Sequence, residues 1–134
     1  MKLYNLTAHR QNPAEWVKFG FDIEPEPRIG ELPLDNHTEV CRAVKKALSD
    51  IPEGSALLIG GAQIITDYIT LFAWQWGDAV FAAVTERLRD ENDRFVFRLK
   101  GVIETPLSIL GRLGGLELQT SKLCPELLWK GGEK

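Results

Sequence analysis

Apolar runs separated by polar turns predict a series of short strands along the chain. Residues 3–6 form the first candidate, and the continuous apolar run 55–59 is typical of a strand buried on both faces of a parallel sheet. Residues 79–85 predict a third strand. Residues 94–100 alternate polar and apolar positions, which indicates a strand with one face in water, and residues 101–104 extend it.

Helical patterns fill most of the segments between these strands. Residues 13–19 fit a short helix that opens on a proline and ends at Gly20. Asn36 and Glu39 resemble a capping box, and apolar residues at helical spacing continue that second helix to Ile51. Residues 63–76 predict a largely apolar third helix, whereas residues 21–34 hold three prolines and are expected to be mostly loop.

The order of these elements predicts the fold class. Residues 55–76 contain a strand, a small-residue turn and a helix in succession, which is the βα unit of open α/β sheets. The last two strands, joined by the polar connection 86–93, predict an antiparallel hairpin at one side of the sheet. We therefore expect an α/β fold: an open, mostly parallel sheet with a C-terminal antiparallel hairpin.

A C-terminal extension follows this predicted domain. Residues 1–104 make up the domain, and residues 105–134 form the extension. Residues 107–113 predict one or two helical turns, and two glycines at 114 and 115 break them. The leucines between positions 116 and 128 indicate that this tail packs on the core or on a second subunit.

Composition and charge exclude several classes of protein. The longest nearly uncharged stretch, residues 55–76, contains Asp67 and two glycines, so no membrane span is expected. The net charge of −3 argues against a protein that coats duplex DNA or RNA, but it allows a small anionic ligand held by local groups. Residues 1–5 lack the apolar run of a signal peptide, so we expect a cytoplasmic location.

The cysteines and histidines show no pattern of metal ligands. Cys41, Cys124, His9 and His37 lack the spacing of a zinc site, and the paired acidic residues lie in polar loops, so no metal or other cofactor is predicted. The two cysteines allow one disulfide or two free thiols. In the absence of a secretion signal, we expect free thiols in a reducing compartment.

The richest polar clusters follow the first two parallel strands. His9 is able to donate or accept a proton near neutral pH, Arg10 to neutralise a phosphate, and Thr7 to hydrogen-bond it. Gly60 and Gly61 let the backbone approach a ligand, and the next helix offers free N–H groups to an anion. The alternatives are a solvated surface loop at His9 and a tight packing turn at the glycines.

The predicted hairpin adds a third group of polar side chains: Thr85, Arg87, Arg98 and Lys100. If their face meets the crevice, they add positive charge to it. The alternative is a charged edge that faces solvent and prevents edge-to-edge pairing, which we favour for Arg98 and leave open for Lys100. His37 is expected to be structural or solvated, and the tryptophans to pack in cores or interfaces.

Three segments together carry a family resemblance. They are residues 4–9 (Tyr-Asn-Leu-Thr-Ala-His), residues 58–62 (Leu-Ile-Gly-Gly-Ala), and the hairpin formed by residues 81–87 and 97–102. This order resembles a family of small Rossmann-like proteins from bacteria, plasmids and phages that open with a tyrosine-asparagine-leucine-threonine-x-histidine motif. That family is similar to the CRISPR-associated ring nucleases and CARF-type sensor domains. The resemblance covers roughly residues 2–104.

The resemblance implies a function and a set of site residues. Ring nucleases bind cyclic oligoadenylate at a homodimer interface and cut it without metal, which ends an antiviral response. His9 is then the general acid or base, and Arg10 and Lys100 stabilise the charge on the phosphate. The residues expected to hold the ligand are Thr7, Gln11, Gly60, Gly61, Ala62, Gln63, Thr85 and Arg87.

Two positions depart from the family pattern. Gln63 stands where a proline is expected, and Lys100 stands where a histidine is expected near the last strand. The second departure leaves a two-histidine mechanism without its second histidine. Two other functions stay open: a non-catalytic sensor or sponge for the cyclic nucleotide, and an interaction module that uses the C-terminal tail.

Overall fold

The computed structural model describes residues 1–30 and 35–113. Five strands and four helices lie within them. The strands are β1 (Lys2–Asn5), β2 (Asp22–Ile23), β3 (Ala56–Ile59), β4 (Ala79–Arg89) and β5 (Phe95–Glu104). The helices are α1 (Pro13–Val17), α2 (His37–Leu48), α3 (Gln63–Trp76) and α4 (Pro106–Arg112).

The strands form one sheet in the order β2-β1-β3-β4-β5. The first four strands are parallel to their neighbours, and β5 is antiparallel to β4. The predicted fold class, a mostly parallel open sheet with a C-terminal antiparallel hairpin, is confirmed.

The helices cover both faces of the sheet, as the apolar sequence of β3 predicts. Leu57 packs with buried residues of α2 and α3 on one face. Leu58 points to the other face, where it packs with Leu3 and with Trp16 of α1. Because successive strand residues alternate between faces, a strand buried on both sides must be apolar at every position.

One strand lies in the segment predicted as mostly loop. Asp22 and Ile23 form β2, in register with Lys2 and Leu3 of β1. Ile23 is buried against the α1 face. A strand of two residues shows no alternation, so the sequence pattern could not reveal it.

The hairpin is longer than predicted. β4 pairs with β3 only over its first four residues, Ala79–Ala82, and then continues to Arg89 in pairing with β5. The polar connection predicted over residues 86–93 is therefore wrong in part, because residues 86–89 belong to the strand. Residues 83–99 project beyond the sheet as a two-stranded ribbon, which we call the arm. Apart from Leu99, which is buried in the core on the α1 face, its strand residues are exposed or half-buried on both faces, so charged side chains are compatible with strand structure there.

Helix α4 packs at the opposite end of the sheet, against α3 and β4. The Trp74 indole N–H donates to the carbonyl of Leu107 at 2.7 Å, and the Val80 amide donates to the Ser108 hydroxyl at 2.8 Å. The helical turns predicted over residues 107–113 are confirmed, and α4 is docked on the core. The rest of the predicted tail lies outside the described residues.

The prediction of free thiols is wrong for Cys41, which is disulfide-bonded in the structure. Cys41 lies on α2, fully buried among core residues. The chain's other cysteine, Cys124, is outside the described residues. The expectation of free thiols was based on the redox state of the expected compartment. Spacing along the sequence does not reveal which cysteine side chains approach one another.

The longest nearly uncharged stretch of the chain divides into β3, a glycine turn and α3. No helix in the described part of the chain combines the length and the apolar character that a membrane span requires.

Candidate functional site

The chain reverses its direction of travel across the sheet between β1 and β3. After β1 the chain passes to the face covered by α1, and after β3 it passes to the face covered by α2 and α3. The two connections therefore separate at the carboxyl ends of adjacent strands. In open α/β sheets this switch point is where ligands bind. We call it the switch-point crevice, bounded by residues 7–11 and 60–63.

Asn5 organises the first wall of the crevice. Its side chain is fully buried at the end of β1, and its Oδ1 accepts hydrogen bonds from the amide of Thr7 at 3.0 Å and from the Thr7 hydroxyl at 2.7 Å. Its Nδ2 donates to the carbonyl of His9 at 2.9 Å and to that of Pro25 at 3.3 Å. One side chain thus fixes the loop after β1 against the loop after β2.

Thr7 and Gln11 stabilise the same loop from within. The Thr7 hydroxyl accepts from the His9 amide at 3.1 Å and from Gln11 Nε2 at 3.3 Å, and the residue is only 5% exposed. Gln11 Oε1 accepts from the Trp16 indole N–H at 3.2 Å. These polar groups, predicted to hold a ligand, are engaged in shaping the loop.

His9 and Arg10 are exposed on this loop. The His9 backbone is held at both its amide and its carbonyl, while its ring makes no hydrogen bond to any residue in the described ranges. The ring is therefore presented to solvent from a fixed backbone. Arg10 forms an ion pair with Glu26, so its charge is directed toward the loop after β2.

The glycine turn forms the second wall. Gly61 has a φ of 105°, a backbone conformation that side chains strongly disfavour. Ala62 caps α3 without a side-chain hydrogen bond, so the first N–H groups of the helix stay available for an anion. Gln63 Nε2 donates to Asp67 Oδ1 at 2.7 Å. A Cβ placed on Gly60 would lie 3.4 Å from Thr7 Cγ2, so the two walls approach closely there.

Of the predicted hairpin residues, Thr85, Arg87 and Arg98 lie on the arm, and Lys100 directly follows it. Thr85 is three residues beyond Ala82, the partner of the last β3 residue, and so about 10 Å past the end of β3. Arg87 lies farther along. Lys100 is the unpaired residue of a β-bulge in β5, a strand separated from β1 by roughly 14 Å. The structure brings Thr7 and Gly60 together, and it gives no contact between Lys100 and the His9 loop.

Sequence reasoning missed a second polar network beside the crevice. Arg28 Nε donates to Glu24 at 2.8 Å, and its Nη1 donates to Asp50 at 2.6 Å. The hydrogen bond from Arg28 lowers the pKa of Asp50. The guanidinium also lies 5.1 Å from the ring centroid of Tyr4. Tyr4 contacts the Arg28 network, and Asn5 organises the loop after β1. Both residues belong to the opening motif, so that motif was the sequence feature from which the two networks could have been found.

His37, the second histidine, is the first residue of α2. Its Nδ1 is 3.1 Å from the hydroxyl of Tyr68, across the start of α2 and the middle of α3. Both residues line a cavity of about 280 Å³ together with Asp67 and two apolar side chains. Within residues 1–30 and 35–113, no three histidine, cysteine or acidic side chains group closely enough to hold a metal.

Comparisons with known proteins identified no relative of this chain. The chain matches no protein-family model, and no similar curated protein or solved structure was found. The fold defines the class: an open, mostly parallel α/β domain whose strand order reverses between β1 and β3. The function has to be argued from the chemistry of that site, since one fold hosts many activities.

Proposed function

We propose that the protein binds a cyclic oligoadenylate in the switch-point crevice and cleaves it without a metal ion. The observation that carries the proposal is the pairing of two features across the crevice. An exposed imidazole on a fixed backbone lies on one wall, and an uncapped helix N-terminus behind a glycine turn lies on the other. A phosphodiester needs both a proton acceptor and stabilisation of its negative charge.

The reaction is a transesterification within the ring. The ribose 2′-oxygen attacks the adjacent phosphorus, the bond from phosphorus to the 5′-oxygen breaks, and a 2′,3′-cyclic phosphate forms. The 2′-hydroxyl proton passes to His9 or through it to solvent, and the departing 5′-oxygen takes up a proton. Gly60, Gly61, Ala62 and Gln63 offer backbone N–H groups to the phosphate oxygens.

Positive side chains reach the phosphate only if Arg10 changes its partner or if a second subunit supplies a basic residue. Arg10 reaches the phosphate by leaving Glu26, an exchange of one exposed anion for another. Lys100 lies on β5, so we propose that it serves the crevice of a second copy in a two-fold homodimer. Thr85 and Arg87 lie farther out, on the arm. The family resemblance supports the dimer.

Replacement of His9 tests its role directly. His9→Ala is expected to lower the rate of ring cleavage by about 10²- to 10⁴-fold, because it removes the proton acceptor and leaves the loop hydrogen bonds intact. The measurement is the rate of linear product formation, resolved by chromatography. His37→Ala is the matched control, since it removes the other histidine and is expected to leave the rate unchanged. Equal rates for wild type and His9→Ala would exclude His9 from the mechanism.

A non-catalytic sensor or sponge is the second candidate. The observation that favours it is the engagement of Arg10 with Glu26, together with the distance of Lys100 from the β1 loop. Saturable binding of a ring that survives prolonged incubation intact would support this function. The third candidate, a tail-mediated interaction module, depends on residues outside those described.

A further inference from the structure

The arm leaves large apolar side chains exposed on a ribbon that projects past the sheet. Phe97 is 67% exposed and Phe95 is 47% exposed. Isolated two-stranded ribbons are only marginally stable in water, and exposed apolar groups in contact with one another commonly mark a binding surface. The arm therefore suggests a ligand beyond those of the crevice.

The two faces of the arm differ in chemistry. Cross-strand partners share a face, and the pairs Arg87–Phe97 and Arg89–Phe95 lie on one of them. The Arg87 guanidinium carbon is 3.7 Å from the Phe95 ring centroid, and that of Arg89 is 4.7 Å from it. We call this the basic–aromatic face. The opposite face carries the Leu88–Val96 pair and the Glu86–Arg98 ion pair.

The basic–aromatic face carries two arginines, Arg87 and Arg89. Its strand residues are Thr85, Arg87, Arg89, Phe95, Phe97 and Leu99, and none of these six is acidic. The acidic side chain that reaches it is Asp93 of the turn, which pairs with Arg89. Arg87 makes no ion pair with a described residue, so its charge is available to a ligand.

We propose that the basic–aromatic face binds single-stranded RNA. A base stacks on the ring of Phe97, which is 67% exposed, and the guanidinium of Arg87 contacts the phosphate backbone. Phe95 lies two residues away on the same strand, roughly 7 Å, and its ring holds the guanidinium groups of Arg87 and Arg89 beside that base. Single-stranded RNA offers unstacked bases and phosphates together, and this is the ligand that aromatic and basic side chains on a strand surface recognise.

A second copy of the chain fits this face less well. A two-fold axis through the face would bring Arg87 and Arg89 of both copies together, and like charges held close oppose association. The opposite face, with its apolar pair and internally neutralised ion pair, is the better candidate for a protein contact.

A binding titration with matched variants tests the proposal. The probe is fluorescently labelled linear hexa-adenylate RNA, titrated at low salt in EDTA and followed by anisotropy. Phe97→Ala is expected to weaken binding at least about fivefold through lost stacking. Arg87→Ala is expected to reduce the slope of log affinity against log salt by about 0.7, the value for one lost phosphate contact on a single strand. Val96→Ala, on the same strand but the opposite face, is the control and is expected to bind as wild type.

Several outcomes would overturn the proposal. They are absence of binding by wild type, equal losses for Phe97→Ala and Val96→Ala, and a Phe97→Ala variant that changes only the oligomeric state in sedimentation. A lowered melting temperature with unchanged affinity would also overturn it, because it would mean that the ring is covered by the protein itself.

The inference is independent of ring cleavage. Ring cleavage without binding of the linear probe would refute the arm site alone, and binding without ring cleavage would refute the proposed activity alone.

Discussion

At the scale of single residues, Asn5 and Gly61 set the geometry of the crevice. The Asn5 side chain connects the loops after β1 and β2 through four hydrogen bonds, and it is fully buried. Gly61 turns the chain from β3 into α3 with a positive φ. The ligand-binding roles predicted for Thr7 and Gln11 stay untested, but both side chains have structural partners.

The turn after β3 offers a matched pair of glycine substitutions. Gly61→Ala forces a side chain into a φ of 105° and is expected to lower the free energy of unfolding by about 1–3 kcal/mol. Gly60→Ala has no such strain, and its Cβ meets Thr7 Cγ2 at an ordinary 3.4 Å, so a change of about 0.5 kcal/mol is expected. Denaturant unfolding measures both. A larger loss for Gly60→Ala than for Gly61→Ala would contradict this assignment.

At the scale of secondary-structure elements, long periodic segments were predictable and short ones were not. The bounds predicted for α3 agree with those observed, because fourteen apolar-rich residues lie between a glycine turn and a terminating glycine. β2 was missed because two residues carry no period. The last four residues of β4, residues 86–89, were missed because their charged side chains are solvated on the projecting arm and do not show a buried face.

Some features of the candidate site were likewise predictable from the sequence, and others were not. The placement of both turns at the carboxyl ends of parallel strands followed from the order of strands and turns in the sequence. The reversal of chain direction between β1 and β3 depends on β2, which the sequence pattern did not reveal. The pairing of Arg10 with Glu26 and the separation of Lys100 from β1 depend on loop geometry and on strand order, which a single sequence does not reveal.

Docking of α4 on α3 depends on the absence of a side chain at Gly111. A Cβ there would lie 2.7 Å from Trp74 Cγ and would displace the indole that donates to Leu107. Gly111→Ala is therefore expected to destabilise the fold by about 1–3 kcal/mol through overpacking, although alanine is the better helix former. In a Trp74→Ala background the same substitution is expected to be neutral or stabilising. A loss of equal size in both backgrounds would refute the steric explanation.

The β5–α4 junction predicts a pH dependence. Hydrogen bonds from Arg112 and then Ser108 lower the pKa of Glu104 below its ordinary value of 4.5. A lowered folded-state pKa contributes stability above that ordinary value, and the contribution is lost as pH falls through the lowered pKa.

Glu104→Gln is expected to reduce stability at neutral pH and to flatten its decline in acid. Denaturant unfolding across this pH range measures the effect. Glu91→Gln, at the exposed tip of the arm, is the control. A wild-type acid decline retained in Glu104→Gln would show that other carboxylates cause it.

At the scale of the whole molecule, both proposed surfaces lie toward the carboxyl ends of the parallel strands. The net charge of −3 repels phosphates in general, so binding must come from local groups. The crevice provides backbone N–H groups and His9, and the arm provides arginines and exposed rings. α4 docks at the opposite end of the sheet, which leaves the crevice end open in the described part of the chain.

The most direct test of the central claim is incubation of the metal-free protein with cyclic tri-, tetra- and hexa-adenylate in EDTA. We predict multiple-turnover conversion of at least one ring to linear products that end in a 2′,3′-cyclic phosphate. Recovery of every ring intact, at protein concentrations that saturate binding, would contradict the claim of metal-independent cleavage.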